Sequence, residues 1–166
     1  MKGYRGVVKL PRIASTALPV IAAAVVGNAF VGGKSLQWFA GLRRPAMQLP
    51  MPGFYAVGLT YYAVMGVVIH RSVIHRDGQS YGLAMVVLGG NELWNVLLFG
   101  LRSPRAAFLG ILTFLVPLVL LQVSVSGDRL SRTALAPYTA WVVCYDLPWT
   151  YQLWRLNPHA RKQRQP

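Results

Sequence analysis

The chain has 166 residues, of which 54% are hydrophobic and 13% are charged. A soluble domain usually carries about a quarter charged residues, and here the apolar residues form blocks long enough to cross a bilayer, which predicts an integral membrane protein. The net charge of +13 comes from 17 Lys and Arg against 4 Asp and Glu. Because the basic residues lie at the ends of the apolar blocks, we assign them to lipid headgroups and expect no nucleic-acid partner.

The apolar blocks predict an all-α membrane bundle of five transmembrane helices in a single domain over residues 1–158, followed by a basic tail at 159–166. The basic N-terminus and first apolar block also resemble a signal peptide, but the length of that block favours an uncleaved first helix. The basic residues divide almost evenly between the two sides of the membrane, and we place the C-terminus in the cytoplasm. The predicted helices span about 13–33, 53–73, 80–101, 105–125 and 133–156.

Residues 34–52, between the first two predicted helices, contain three prolines and several aromatic side chains. That composition predicts a shaped loop that covers one end of the bundle. Trp38 is expected to form part of this lid, and Met47 and Phe54 are expected to close the loop side of a binding site. On the second helix, Tyr62 lies on one face with Tyr55, and its hydroxyl needs a partner from another helix or from a ligand.

The third predicted helix carries an unusual polar stripe at bilayer depth. Asn91 and Asn95 are i,i+4 neighbours, Glu92 and Asn95 are i,i+3 neighbours, and Trp94 lies beside them. A carboxyl group and two amides are costly inside a membrane, so they are expected to face the bundle interior and to mark a functional site. The fourth helix is almost purely aliphatic and is predicted to face lipid and neighbouring helices.

The fifth predicted helix is the most aromatic, with Tyr138 and Trp141, and it contains a second intramembrane acid, Asp146. Pro148 has no N–H to donate to the carbonyl of Cys144, which predicts a kink. We expect the carboxyls of Glu92 and Asp146 to interact across the third and fifth helices. The pair could otherwise fix helix packing only, act as an acid–base pair, or carry protons.

No metal site and no required cofactor are predicted. Cys144 is the single cysteine, which excludes an internal disulfide and a cysteine metal cage. His70 and His75 are five residues apart, so their imidazoles do not stack on one helical face, and contact with headgroups is the simpler interpretation.

Several separated motifs resemble the tryptophan-rich sensory protein family, also called the translocator protein or peripheral benzodiazepine receptor family. The likeness runs in order over about residues 20–158. It is carried by the following residues: Trp38, Phe39, Leu42, Pro45, Pro50, Val57, Tyr62, Met65 and Gly66; Asn91, Trp94, Phe99 and Gly100; Pro137, Tyr138, Ala140 and Trp141; and Trp154, Arg155 and Asn157.

This resemblance implies a five-helix bundle, often a homodimer, in a bacterial cell membrane, that binds porphyrins or haem and also sterol-like lipids or drug-like compounds. The implied pocket lies beneath the first loop and is lined by all five helices. Together with the residues singled out above, it yields one set of expected ligand-binding residues. These are Trp38, Met47, Phe54, Tyr62, Asn91, Glu92, Trp94, Asn95, Tyr138, Trp141 and Asp146.

The chain departs from the family pattern at several positions. Met47, Gly58 and Ala106 stand where the family usually has tryptophan, and Glu92 and Asp146 stand where it is usually neutral. One extra residue lies between Trp141 and Trp154, and Trp149 and Thr150 align with the family's late Leu-Asn. A sterol-recognition pattern also fits, although a snorkelling arginine beside an interfacial tyrosine explains it equally well. Its residues are Leu147, Tyr151 and Arg155.

Three functions follow as hypotheses. The first is a binding protein that takes a flat hydrophobic ligand, porphyrin, haem or a sterol-like lipid, for transport, sensing or regulation. The second is a membrane enzyme that uses Glu92 and Asp146 as an acid–base pair, and the third is a proton-coupled carrier that uses the same acids. Whether the chain is an enzyme is left open, although its residues favour a binding protein.

Overall fold

The computed structural model describes residues 12–160, and these fold into seven α-helices without a strand among them. The all-α class predicted from the sequence is therefore confirmed. The charged residues of the N-terminus before position 12 and the basic tail after position 160 lie outside the described residues. The helices are α1 (Arg12–Ala29), α2 (Gly33–Ala40), α3 (Met51–His75), α4 (Gly78–Asn95), α5 (Pro104–Ser124), α6 (Arg129–Trp141) and α7 (Leu147–Leu156).

Three stretches of the described chain are long and apolar enough to cross a membrane: α3, α4 with the turn that follows it, and α5. Helices α1 and α2 are bent by 63° relative to each other and would make a fourth crossing if they form one broken span. The chain is thus a membrane protein, and its described part contains three, or with the bent pair four, helical stretches that could cross the bilayer. The predicted number of five crossings stays a prediction.

The predicted loop at 34–52 is partly wrong, because α2 occupies its first third and the first helix ends at Ala29 rather than near 33. Gly33 adopts a positive φ of 41°, which lets the chain turn sharply between α1 and α2. The hydroxyl of Ser35 donates to the carbonyl of Phe30 at 2.8 Å and accepts from the N–H of Gly32 at 3.1 Å, so it stabilises the corner. The prolines begin only at Pro45, which leaves the preceding residues free to be helical.

Two of the helical stretches contain a π-helical turn, in which each N–H bonds five residues back instead of four. Residues 96–100 extend α4, where the N–H of Leu101 donates to the carbonyl of Val96 at 2.8 Å. Residues 142–146 join α6 to α7, where the N–H of Leu147 donates to the carbonyl of Val142. A turn of this kind takes up one additional residue without ending the helix.

The second π-helical turn also lies where a kink was predicted. Pro148 lies two residues after its end and cannot donate to a carbonyl in the preceding turn. The hydrogen bond that Pro148 cannot make is therefore missing next to a turn in which the backbone hydrogen bonds already depart from the α-helical pattern. Its consequence is that residues after position 146 face different neighbours from those that a continuous α-helix would give them.

Helix α5 was predicted to face lipid and neighbouring helices. In the structure it also contributes side chains to the buried core. One face, with Ile111, Phe114 and Leu118, is buried in the core, where α5 packs against α4 and α6. The opposite face, with Val116 and Val123, is more than half exposed. Exposed aliphatic side chains are expected where lipid replaces water, because moving them inside would gain little.

A polar cluster closes the end of the bundle away from α2. The guanidinium of Arg71 donates twice to the carboxylate of Asp128, at 3.0 and 2.8 Å, and the hydroxyl of Ser131 donates to it at 2.6 Å. These donors lower the pKa of the Asp128 carboxyl well below its usual value. This tie between α3 and α6 therefore stabilises the fold above about pH 4 and weakens as acid protonates the carboxylate.

Helix α4 begins beside this cluster at an aspartate cap. The carboxylate of Asp77 accepts from the backbone N–H of Ser80 at 3.0 Å and from its hydroxyl at 2.6 Å. The bonds lower the pKa of the Asp77 carboxyl. An N-cap of this type satisfies a free N–H at the start of a helix, which explains why α4 begins directly after Asp77.

Candidate functional site

A cavity of about 390 Å³ lies inside the bundle, between α1, α3, α4, α5 and the stretch formed by α6 and α7. Its lining is mostly aromatic and aliphatic, with a few amides, phenols and one carboxyl. Eight of the expected ligand-binding residues lie in its wall: Phe54, Tyr62, Asn91, Trp94, Asn95, Tyr138, Trp141 and Asp146.

The other three expected residues do not line the cavity. Trp38 packs with Phe39 and its neighbours in the cluster around Trp149, and its indole N–H has no partner. The carbonyl of Met47 accepts from the hydroxyl of Tyr145 at 2.9 Å. Glu92 is only 5% exposed and lies behind the wall.

The segment between α2 and α3 is fastened to the last helices at two points, as expected for a shaped loop. The N–H of Leu49 donates to the hydroxyl of Tyr145 at 2.9 Å. Asn157 accepts from the N–H of Arg43 and donates to its carbonyl, both at 2.9 Å. The segment therefore holds Met51 and Phe54, which follow it, at the cavity wall.

Glu92 is the centre of a hydrogen-bond network that joins α3, α4 and α6. Its carboxylate accepts from the hydroxyl of Tyr62 at 2.9 Å and from the side-chain amides of Asn91 and Asn95, both at 3.3 Å. Asn91 in turn accepts from the hydroxyl of Tyr138 at 3.2 Å. The polar stripe predicted on this helix thus faces the bundle interior, and its acid is satisfied by three donors.

The contact of Glu92 with α1 is unusually close, because it depends on a glycine. Gly27 is buried, and a Cβ built on it would overlap the Oε2 atom of Glu92. Only hydrogen at this position leaves room for the carboxylate between α1 and α4. The small residue is therefore part of the network, since it sets how near the two helices can approach.

Asp146 lies apart from that network. Its Oδ1 atom accepts from the indole N–H of Trp141 at 3.0 Å, and its side chain lines the cavity. The expected interaction between Glu92 and Asp146 is not observed, because each carboxyl has donors from its own surroundings and no hydrogen bond connects them. The two acids are both directed to the interior, but they act as separate groups.

Aromatic rings four residues apart form one wall along α6 and α7. Trp141 stacks on Tyr145 with ring centroids 4.2 Å apart, and Tyr145 is nearly parallel to Trp149 at 6.5 Å. Phe54 of α3 and Trp94 of α4 meet Trp149 at 5.2 and 6.2 Å. The cavity is therefore bounded by flat apolar faces that suit a planar ligand.

Sequence reasoning missed several lining residues. Trp149 was noted only as a departure from the family pattern, although its spacing of four residues from Tyr145 and eight from Trp141 was a readable signal. Other residues gave no such signal, because a single chain does not tell which face of an apolar helix turns inward. The lining residues outside the expected set are Ala24, Asn28, Val31, Phe39, Met51, Tyr55, Val57, Gly58, Leu59, Tyr61, Phe99, Ile111, Phe114 and Trp149.

The residues of the sterol pattern lie outside the cavity lining. Tyr151 is 45% exposed and packs against Phe108 with ring centroids 5.4 Å apart. Arg155 is exposed in the last turn of α7, and Leu147 packs against the core. Recognition of a sterol there would be a surface interaction, separate from the cavity, and it stays a prediction.

The fold and the cavity define a class: an all-helical membrane protein whose bundle encloses an aromatic-walled site. The model of the TspO/MBR family matches residues 15–155, and the chain belongs to this family. The chain is 24% identical over 135 residues to the tryptophan-rich protein TspO of Archaeoglobus fulgidus, which covers 80% of this chain and 88% of the relative.

Two further relatives are named translocator protein. The one from Sus scrofa is 28% identical over 164 residues, covering 95% of this chain and 96% of the relative. The one from Homo sapiens is 30% identical over 141 residues, covering 80% of this chain and 82% of the relative. The resemblance read from the separated motifs is thereby confirmed along almost the whole chain.

Proposed function

We propose that the cavity binds a flat hydrophobic ligand, porphyrin, haem or a sterol-like lipid, and that binding serves transport, sensing or ligand-linked regulation. The observation that carries this proposal is a cavity of about 390 Å³ lined by the rings of Trp141 and Trp149, which stack on Tyr145 behind them. Small-molecule sites commonly occupy about 300–1,000 Å³ and combine apolar walls with a few polar groups. No cofactor is required by this proposal, since the porphyrin or haem would be the ligand.

The rim of the cavity supports entry of such a ligand from the bilayer. Tyr55 and Leu59 of α3 belong to the lining, yet they are 53% and 74% exposed. Asn28 of α1 is also exposed and belongs to the same lining. The cavity therefore reaches the outer surface between α1 and α3, where a lipid-soluble ligand would arrive.

The wider architecture belongs to the same proposal. Helical structure continues from Arg129 to Leu156 through the π-helical turn, and we assign this stretch as the last of five crossings. A homodimer, a bacterial cell membrane and a cytoplasmic C-terminus complete the arrangement. The support for these features is the family membership, because the basic residues divide almost evenly between the two sides of the membrane.

The alternative, a membrane enzyme or proton-coupled carrier that uses Glu92 and Asp146, has weaker support. Glu92 is buried and held by three donors, and Asp146 is not paired with it. An acid–base pair would need both groups at one reacting centre. Retained ligand binding together with lost turnover or transport in Glu92→Gln and Asp146→Asn would favour this alternative.

Titration of the purified protein with protoporphyrin IX, haem and cholesterol tests the proposal through tryptophan fluorescence. Saturable quenching by at least one of these ligands is expected, because Trp94, Trp141 and Trp149 line the cavity. Trp141→Leu should weaken that ligand about tenfold, since it removes stacking area from the wall. Trp154→Leu is the matched control, because Trp154 stacks on Phe108 outside the cavity lining, and its affinity should stay unchanged. The absence of saturable quenching by all three ligands would contradict the proposal.

A further inference from the structure

Most hydrogen-bond donors of the inner wall already have partners within the protein, and the unpaired hydroxyl of Tyr55 lies at the exposed rim. The hydroxyls of Tyr62 and Tyr138 donate to Glu92 and Asn91. The hydroxyl of Tyr61 donates to the carbonyl of Val87 at 3.2 Å, and the indole N–H of Trp141 donates to Asp146. The inner wall therefore has little donor capacity left for a ligand.

The remaining indole N–H groups of the wall do not offer a ligand further hydrogen-bond donors. The indole nitrogens of Trp94 and Trp149 have no hydrogen-bond partner, but both atoms are buried within the protein. They consequently present ring faces and edges to the cavity rather than donors. The amide nitrogen of Asn28, at the rim, donates to the carbonyl of Ala24 at 2.7 Å.

One hydrogen-bond acceptor in the cavity wall, in contrast, has a free oxygen atom. Asp146 uses Oδ1 for Trp141, whereas its Oδ2 atom has no protein donor. Among the described residues, no lysine, arginine or histidine lines the cavity, so this carboxyl has no cationic partner there. Glu92, behind the wall, adds a second acidic group and no positive one.

We infer that Asp146 is the polar anchor of the cavity and selects flat apolar ligands that carry a cationic amine or another hydrogen-bond donor over ligands that carry a carboxylate. The inference deepens the proposed function and rests on it. A ligand amine or other donor loses hydrogen bonds to water on entering the cavity, and a hydrogen bond to Oδ2 of Asp146 would compensate for that loss. A ligand carboxylate would instead lie near the Asp146 carboxyl with no positive group beside it. A ligand with carboxylate substituents would have to keep them at the rim and place only its ring inside.

Three anthracene derivatives that differ in one substituent test this selectivity directly. One carries an aminomethyl cation, one a hydroxymethyl group and one a carboxylate, and each is titrated into the full-length protein in a non-ionic detergent. We expect the amine to bind at least about tenfold more tightly than the carboxylate, with the alcohol between them. The net charge of +13 would act in the opposite direction, so the preference would have to arise locally.

Asp146→Asn assigns the preference to this carboxyl, since the amide keeps the shape and one acceptor oxygen but removes the charge. The difference between the amine and the carboxylate should fall to within about threefold, while the alcohol binds within threefold of its wild-type affinity. Asp77→Asn is the matched control, because it removes one charge at a helix cap outside the cavity lining and should leave the preference intact.

The outcomes separate this inference from the proposed function. Binding of all three probes with equal affinity, unchanged by Asp146→Asn, would overturn the inference and leave cavity binding intact. A lack of binding by all three probes to the wild-type protein would contradict the proposed function itself. The preference measured in the wild-type protein is decisive even if a variant does not fold.

Discussion

Replacement of Gly27 by alanine is expected to destabilise the protein sharply, although it adds only one methyl group. The new methyl would occupy the position of the Oε2 atom of Glu92. Either α1 must move away from α4, or the carboxylate must leave the donors Tyr62 and Asn95. Overpacking and loss of buried hydrogen bonds together are expected to cost roughly 2–4 kcal/mol, measured as a lower unfolding temperature in detergent.

Gly66→Ala is the matched control for this prediction. Gly66 lies on α3, and a Cβ there would meet nothing within 4 Å, so the unfolding temperature should change little. In a Glu92→Ala background the carboxylate is absent, and Gly27→Ala should cost much less than it does alone. Equal effects of Gly27→Ala in both backgrounds would contradict the proposed contact between α1 and Glu92.

Trp149→Ala is expected to have the second large effect on stability. Trp149 is 1% exposed and packs against the rings of Phe39, Phe54 and Trp94, which come from three other helices. Its removal would leave a void where these helices meet. Truncation of a buried tryptophan typically costs about 3–5 kcal/mol, so the unfolding temperature in detergent should fall strongly.

Trp154→Ala provides the comparison at the protein surface. Trp154 stacks on Phe108 and lies under Arg105, but it is not part of the fully buried core. Its truncation should therefore cost much less than that of Trp149. A loss of stability at Trp154 as large as that at Trp149 would show that the two ends of α7 are equally important for packing, contrary to the structure.

The features that depend on local patterns could be predicted from the sequence. Long apolar blocks predicted α3, α4 and α5 to within a few residues, because bilayer thickness fixes the length of a crossing. The spacing of Asn91, Glu92 and Asn95 predicted one polar stripe, because helix geometry alone brings such residues together. The wall residues Trp94 and Trp141 were expected from the motifs that carry the family resemblance.

The features that depend on contacts between distant helices could not be predicted in the same way. The close approach of Gly27 to the carboxylate of Glu92 could not be predicted from the sequence, because the two residues are far apart in the chain. The expected pair of acids is another example, because two carboxyls in one bundle can each find separate donors. Glu92 does so with Tyr62, whereas Asp146 does so with Trp141.

The turn at residues 142–146 explains the remaining difference between prediction and structure. One α-helix with a kink at Pro148 was predicted for the stretch from 133 to 156, without a π-helical turn. A π-helical turn changes the direction in which later side chains point, so Trp149 reaches the cavity wall while Tyr151 faces outward.

The central claim, that a flat hydrophobic ligand occupies the cavity, is tested most directly by cysteine protection. In a Cys144→Ser background, Gly58→Cys places a thiol on the cavity lining, and Gly66→Cys places one on the same helix away from it. A Cβ meets nothing within 4 Å at either glycine, so both substitutions should fold. Labelling by an uncharged maleimide is then followed with and without saturating protoporphyrin IX. We expect bound protoporphyrin IX to slow labelling at position 58 by about tenfold or more, because the ligand would cover that thiol. The labelling rate at position 66 should stay unchanged. Equal labelling rates at position 58 with and without bound porphyrin would contradict the central claim.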